Sequence, residues 1–417
     1  PKVLIVGPEF VPVYNEMRDA VRVEHVIALE GAQVPGEAYE DLLSQASAEE
    51  PKRPVISGND PVCILYTSGT TGRPKGAVLP HRQVVWNSIN TIVSWGLNEK
   101  DVSPILTPMF HSGGLFVFLT PLFHVGGRLL LGRTFDPDAS LKLIVDEKCT
   151  VILGVPTLFQ VWMNSPQFES ADFSHVRFFI SGGAPCPPAL IKAWSEKKGV
   201  VMRQGYGLTE VGVNCFSMTD EDALRKIGSV GKPIFHSEMR LVDADCKDVP
   251  PGSTGELVIK GDHVCVGYWN NAEATREALK DGWFHTGDMA RMDEEGYFYI
   301  AGRFKDMIIS GGENVYPREV EEVLYTRHEI QECAVIGLPD KEWGEQVTAF
   351  IVPKPGFSLR PEELKSYLKT RLAPFKVPKK FIVVEGFPKS AAGKILKREM
   401  KQQMSAEGAP GRCQTLS

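Results

Sequence analysis

YTSGTTGRPKG, residues 66–76, stands between the apolar run 62–65 and the β-type run Ala77, Val78, Leu79. Hydroxyls at Thr67, Ser68, Thr70 and Thr71 are interleaved with Gly69 and Gly72, and Lys75 follows. Hydroxyl and glycine N–H groups donate to phosphate oxygens, and glycine lets the backbone come close. Lys75 adds a point charge. The stretch therefore reads as a loop that grips a polyphosphate. A solvated Gly/Ser/Thr turn explains a three-residue match as well, but it is a weak account of ten residues between two strands. The G-x-x-x-x-G-K-[ST] signature is absent, so this is a different kind of phosphate loop.

The surrounding chain is compatible with such a site. It has 417 residues, 43% hydrophobic and 24% charged, enough for two or more domains. Its net charge of −6 gives no broad basic surface for nucleic acid. The cysteines form no C-x-x-C pair, which argues against zinc and for free thiols in a reducing, cytoplasmic compartment. The most apolar stretch, 113–132, is interrupted by Pro121, His124 and Arg128 and does not read as a membrane span. Peripheral membrane contact and a homodimer are both left open. The first residues run straight into Val3, Leu4, Ile5 and Val6, which reads as a buried strand already under way, so the chain is expected to start inside a domain. Residues 406–417 are small and polar and are expected to be disordered.

Periodicity predicts an α/β architecture. Short apolar runs at 151–153 and 178–180 read as buried strands, and 189–198 reads as a helix between strands. From 227 to 300, turn pairs such as Pro251-Gly252 separate short strands, giving a β-rich subdomain, either a small barrel or a sheet. After Gly302 helices are expected at 317–327 and 361–372 and strands at 333–337, 347–353 and 381–384. This makes a small, mobile α+β domain over 303–405 behind a large domain over 1–302.

Five segments, in order, resemble the adenylate-forming superfamily of acyl-CoA synthetases, peptide-synthetase adenylation domains and beetle luciferases. They are the opening stretch, GYGLTE at 205–210, GWFHTGD at 282–288, GRFKDMIISGGENVYPREVE at 302–321 and PKSAAGK at 388–394. The chain looks most like the fatty acyl-CoA ligases. Members of the family carry a further N-terminal portion, so this sequence resembles one truncated at its front.

The resemblance implies ATP, Mg²⁺ and CoA as cofactors and a small carboxylic acid as substrate. Attack of a carboxylate on an anionic α-phosphate needs cations to neutralise charge in the transition state. Lys394 would join the attacking carboxylate to that phosphate. Glu210 would contact Mg²⁺, and Thr209 a phosphate oxygen. Gly205, Tyr206 and Gly207 belong to that same segment. Gly182, Gly183 and Ala184 resemble the segment against the adenine. Asp288, assisted by Arg303, would take ribose hydroxyls. Asp306 looks like the hinge about which the small domain turns between two half-reactions. Ser310, Gly311 and Gly312 would then line a thiol channel, with Trp343 and Phe375 touching CoA. Phe110 and His111 carry the substrate-class signal: an aspartate in this segment marks amino-acid activation, and none is present. A satisfied interior histidine is an equal reading of His111. Val211, Gly212, Val213 and Asn214 resemble the pocket wall, with Gly212 leaving room for a long apolar chain. Two further readings stay open: an adenylase that loads a carrier-protein arm, and a nucleotide-binding scaffold without activity.

Overall fold

The structure is a computed structural model that describes residues 2–67, 74–390, 394–406 and 414–415. The chain divides into two compact units, residues 1–56 and 57–417. The first unit holds a three-stranded parallel sheet of Val3–Val6, His25–Ala28 and Glu37–Ala38. The strand expected at 3–6 forms, but it is not buried. Val3 and Ile5 are exposed and only Val6 is enclosed, because alternate side chains of a strand face opposite ways and one face is uncovered.

In the second unit the expected strands form as Val151–Gly154 and Phe178–Ser181, which pair in parallel and continue to Met202–Gln204. The helix Pro188–Lys198 packs on them, burying Leu190, Ile191 and Trp194. A parallel sheet is covered on its faces, and these strands read as unbroken apolar runs for that reason. Their core is aromatic, built around Phe159, Trp162, Phe168, Phe179 and Trp194. The expected β-rich region is an open antiparallel sheet, not a barrel: Glu238–Val242, Thr254–Lys260, Trp283–Met292 and Leu279–Lys280, with Phe298–Arg303 on Trp283–Met292.

From Ile308 onward a six-stranded sheet is built around the hairpin Ile330–Asp340/Gly344–Pro353, with helices Pro317–Leu324 and Pro361–Lys369 beside it. Two strands escaped the sequence reading: Ile308–Ser310 and Glu313–Val315 pair with each other next to the expected hinge. The hydrophobic clusters centred on Val335 and on Ile336 draw only on residues after 307, and the other clusters only on residues up to 300. Gln414–Thr415, within the tail expected to be disordered, pairs with Lys380–Val383; 407–413 and 416–417 lie outside the described residues. No described helix is long and apolar enough to cross a membrane.

Candidate active site

The opening stretch turns out to join two paired strands. Pro61–Thr67 and Lys75–Pro80 form an antiparallel hairpin in which Thr67 faces Lys75. Ser68, Gly69, Thr70, Thr71 and Gly72 lie outside the described residues. On the other edge of Lys75–Pro80, the short strand Gly267–Tyr268 places Tyr268 opposite Ala77. The Lys75 ammonium lies 5.3 Å from the centre of the Tyr268 ring, a cation–π contact. The Tyr268 hydroxyl donates to Glu210 Oε1 at 2.9 Å, and Thr67 Oγ1 approaches the same oxygen at 3.4 Å. Tyr268 was not singled out from sequence.

Glu210 is 8% exposed and sits in the 3₁₀ turn Thr209–Val211, whose backbone is pinned by the Cys265 N–H to Glu210 O at 2.7 Å. Its Oε2 takes no hydrogen bond among the described residues. A carboxylate fixed through one oxygen, beside a lysine and a hydroxyl, suits a hard cation that completes its shell with phosphate oxygens and water. Such a cation needs no all-protein cage, and no group of three or more His, Cys, Asp or Glu among the described residues offers one. Thr209 shares a 2.8 Å hydrogen bond with Ser112.

A second cluster follows from strand register. Asp288 and Arg303 face each other on neighbouring antiparallel strands, so the Arg303 Nε–Asp288 Oδ1 contact of 3.1 Å is a cross-strand pair. The Tyr206 hydroxyl donates to Asp288 Oδ2 at 2.6 Å, and burial with the Asp288 charge raises the Tyr206 pKa well above normal. Both Asp288 oxygens are thus held in place, each with a lone pair left for a ligand hydroxyl. Tyr206 is carried by the loop after Met202–Gln204. Gly205 bonds back to Ser181, and Gly182 to Gly154, so Gly182, Gly183 and Ala184 stand beside Gly205 at the carboxyl ends of adjacent parallel strands. Ligand crevices of open parallel sheets lie at such strand ends. Gly207 has no alternative: a Cβ there would lie 2.1 Å from Val213 O.

Lys394 meets this second cluster. Its backbone N–H donates to Ser390 Oγ at 3.2 Å, and its carbonyl accepts from the Ser390 N–H at 2.9 Å. Residues 391–393 between them lie outside the described residues. Lys394 is accessible to solvent, yet the protein surrounding its ammonium, and next the Arg303 charge, bring its pKa down to about 8; Asp288 and Asp306 act in the opposite direction. Desolvation, followed by the Lys394 charge, lowers the pKa of His111. His111 is no interior histidine. It is exposed, caps the short helix Ser112–Phe116, and its Nδ1 accepts from the Gly113 N–H at 3.1 Å, so that nitrogen carries no proton. Phe110 beside it is also exposed. Asp306, in the turn Phe304–Asp306, is half-buried.

The pocket segment splits. Gly212 and Val213 line a cavity of about 10 Å³ together with Leu79, Val84, Phe116 and Thr209. Val211 instead packs in the core of the β-rich region, and Asn214 is a buried brace whose amide donates to Thr91 Oγ1 at 2.8 Å and Val117 O at 3.1 Å. That volume holds about one water, so the long tunnel expected beside Gly212 is not open. Gly212 itself has φ of +68°, where a side chain is strained, so its first requirement is backbone shape.

Ser310, Gly311, Gly312 and Trp343 gather elsewhere. Gly311 N–H donates to Trp343 O at 2.9 Å, and the Lys379 ammonium lies 4.1 Å from the Trp343 ring centre. Phe375 packs against the hydrophobic cluster of the small sheet. No hydrogen bond among the described residues joins this group to Glu210 or Asp288.

The chain belongs to the AMP-binding enzyme family: the family's profile matches residues 1–269, and that of the AMP-binding enzyme C-terminal domain matches 319–394. Within that family it is an AMP-forming acid–thiol ligase, a class that uses ATP and CoA. It is 43% identical to a feruloyl-CoA synthase of Amycolatopsis sp over 87% of this chain and 73% of that protein. It is 38% identical to the long-chain-fatty-acid–CoA ligase FadD13 of Mycobacterium tuberculosis over 97% of this chain and 79% of that one. The ATP-bound crystal structure of MatB from Rhodopseudomonas palustris superimposes with a TM-score of 0.87 at 34% identity, covering 97% of this chain and 79% of that one.

Proposed function

We propose that the chain joins a carboxylic acid to the α-phosphate of ATP, releasing pyrophosphate, and then lets the CoA thiol displace AMP to give the thioester. The observation that carries this is the convergence of Lys394 with Asp288, Arg303 and His111, drawn from four separate segments. In this reading Asp288, steadied by Tyr206 and Arg303, holds the ribose. Lys75 and Thr209 meet the phosphates, and Lys394 bridges carboxylate and α-phosphate. Glu210, oriented by Tyr268, would hold Mg²⁺, which neutralises phosphate charge when bound. Gly182, Gly183 and Ala184 flank the adenine. The small domain begins at 303 and turns about Asp306, bringing Ser310, Gly311 and Trp343 to the thiol. Seven described cysteines are free thiols, which fits a reducing cytoplasm.

For the acid, an apolar body such as a fatty chain is supported by the apolar side chains Leu79, Val84, Phe116 and Val213 beside Gly212. Pyrophosphate release over acids of graded length and aromaticity, with CoA consumption followed in parallel, tests the reading. Release that depends on an acid, together with CoA loss, is expected. Release without CoA loss would favour a carrier-protein acceptor, and no release with any acid would favour an inactive scaffold.

A further inference from the structure

The pairing of the strand that carries Asp288 is interrupted where Asp288 sits. Thr254–Lys260 and Trp283–Met292 are in register on either side of the break, with Glu256 opposite Met289 and Val258 opposite His285. Between those pairs Leu257 alone faces Thr286, Gly287 and Asp288. The surplus makes 286–288 a bulge, a device that re-aims side chains beside active sites. On its other side Asp288 keeps its pairing with Arg303.

A bulge takes backbone N–H groups out of the ladder, and each then needs another acceptor. Side chains supply the acceptors here. The Asp288 N–H donates to Thr286 Oγ1 at 3.0 Å, and the Thr286 hydroxyl donates in turn to Leu257 O at 2.6 Å. The Gly287 N–H donates to Glu256 Oε1 at 3.0 Å. The other oxygen, Glu256 Oε2, lies 2.8 Å from His285 Nδ1. A carboxylate only accepts, so Nδ1 donates. Glu256 thus reaches across from the facing strand and holds both ends of the segment 285–287, one residue before Asp288.

We infer that Glu256 is a positioning residue for the nucleotide: through Gly287 it sets where the Asp288 carboxylate stands, and with it the preference for a ribonucleotide over its deoxy analogues. The inference rests on the proposal that Asp288 takes ribose hydroxyls. Reach rather than charge is what the geometry asks of residue 256. A glutamine there keeps the reach: its oxygen can accept from the Gly287 N–H while its nitrogen donates to the other tautomer of His285. An aspartate keeps the charge but is one methylene shorter and cannot meet both partners across the strands.

The test is the Kd of ATP, 2′-deoxy-ATP and 3′-deoxy-ATP by titration calorimetry, which needs no acid substrate. The wild type is expected to favour ATP over at least one deoxy analogue by about tenfold or more, the scale of one hydrogen bond to a charged group. That preference should persist in Glu256→Gln. In Glu256→Asp it should shrink toward unity, through weaker binding of ATP with little change for the deoxy analogues. A general loss of stability does not imitate this, because it leaves the ratio of Kd values in the folded protein unchanged. A wild-type preference in Glu256→Asp, even with all three Kd values raised together, would make Glu256 purely structural; it would overturn the inference and leave the ribose reading standing. So would a preference lost in Glu256→Gln and kept in Glu256→Asp, which would make charge the requirement. Equal affinity of the wild type for all three nucleotides would instead defeat the ribose reading of Asp288, and the inference with it.

Discussion

Lys394 differs from a surface lysine in its surroundings. Protein mass and the Arg303 guanidinium disfavour its charged form, and Asp288 and Asp306 only partly restore it. A lysine with a pKa of about 8 is charged below that pH and neutral above it. Its proposed role needs the charge, so kcat/KM for pyrophosphate release should hold at neutral pH and fall as pH rises through about 8. Lys394→Arg, whose guanidinium stays charged, should remove that alkaline fall even if the plateau is lower. A pH profile on both proteins checks this, and an identical alkaline limb in the two would assign the titration to another group. PKSAAGK made Lys394 legible in the sequence. The perturbed pKa was not, because Arg303 and Asp306 are distant in the chain and meet it only through the fold.

At the scale of elements, the helix His81–Trp95 buries polar side chains at helical spacing on one face, and the sequence analysis sets no expectation for it. Its polar residues fall at the spacing of a buried face, and that pattern was the available signal; read by hydropathy alone, it marks the solvent side. The same helix bears Asn90, 0% exposed, with neither amide atom partnered among the described residues. Asn90→Leu replaces a desolvated amide by an apolar group of similar size. It should therefore stabilise the protein by about 1–3 kcal/mol, read as a higher denaturation midpoint. Destabilisation would mean that the Asn90 amide is satisfied when the protein is in solution. Elements marked by strong apolar runs, such as Val151–Gly154, Phe178–Ser181 and Pro188–Lys198, fell within a residue of their expected places. The short strands Ile308–Ser310 and Glu313–Val315 did not show, because glycines and polar residues fill the turn between them and pairing alone defines them.

Across the whole molecule, the two groups of proposed site residues occupy different places. Lys394 stands with Asp288 and Arg303, while Ser310, Gly311 and Trp343 form a separate cluster. One small domain presenting these two faces in turn is the simplest mechanism for two successive reactions, and motion about 306 is its requirement. Asp306 ends the 3₁₀ turn Phe304–Asp306, and the Met307 N–H bonds to Arg303 O at 3.1 Å. Asp306→Pro fixes φ at the proposed pivot. It should still form acyl-AMP but transfer slowly to CoA, and an unchanged overall rate would remove Asp306 as the pivot. The family motifs made this proposed division of labour legible. The position of each face relative to the nucleotide site was not, since it depends on packing between segments far apart in sequence. The most direct measurement is of the two half-reactions separately in Lys394→Ala. Acid-dependent pyrophosphate release should fall by about 10²-fold or more, the scale for losing one preorganised charge, while CoA thioester formation from supplied acyl-AMP stays near the wild-type rate. An equal loss in both half-reactions would contradict the account.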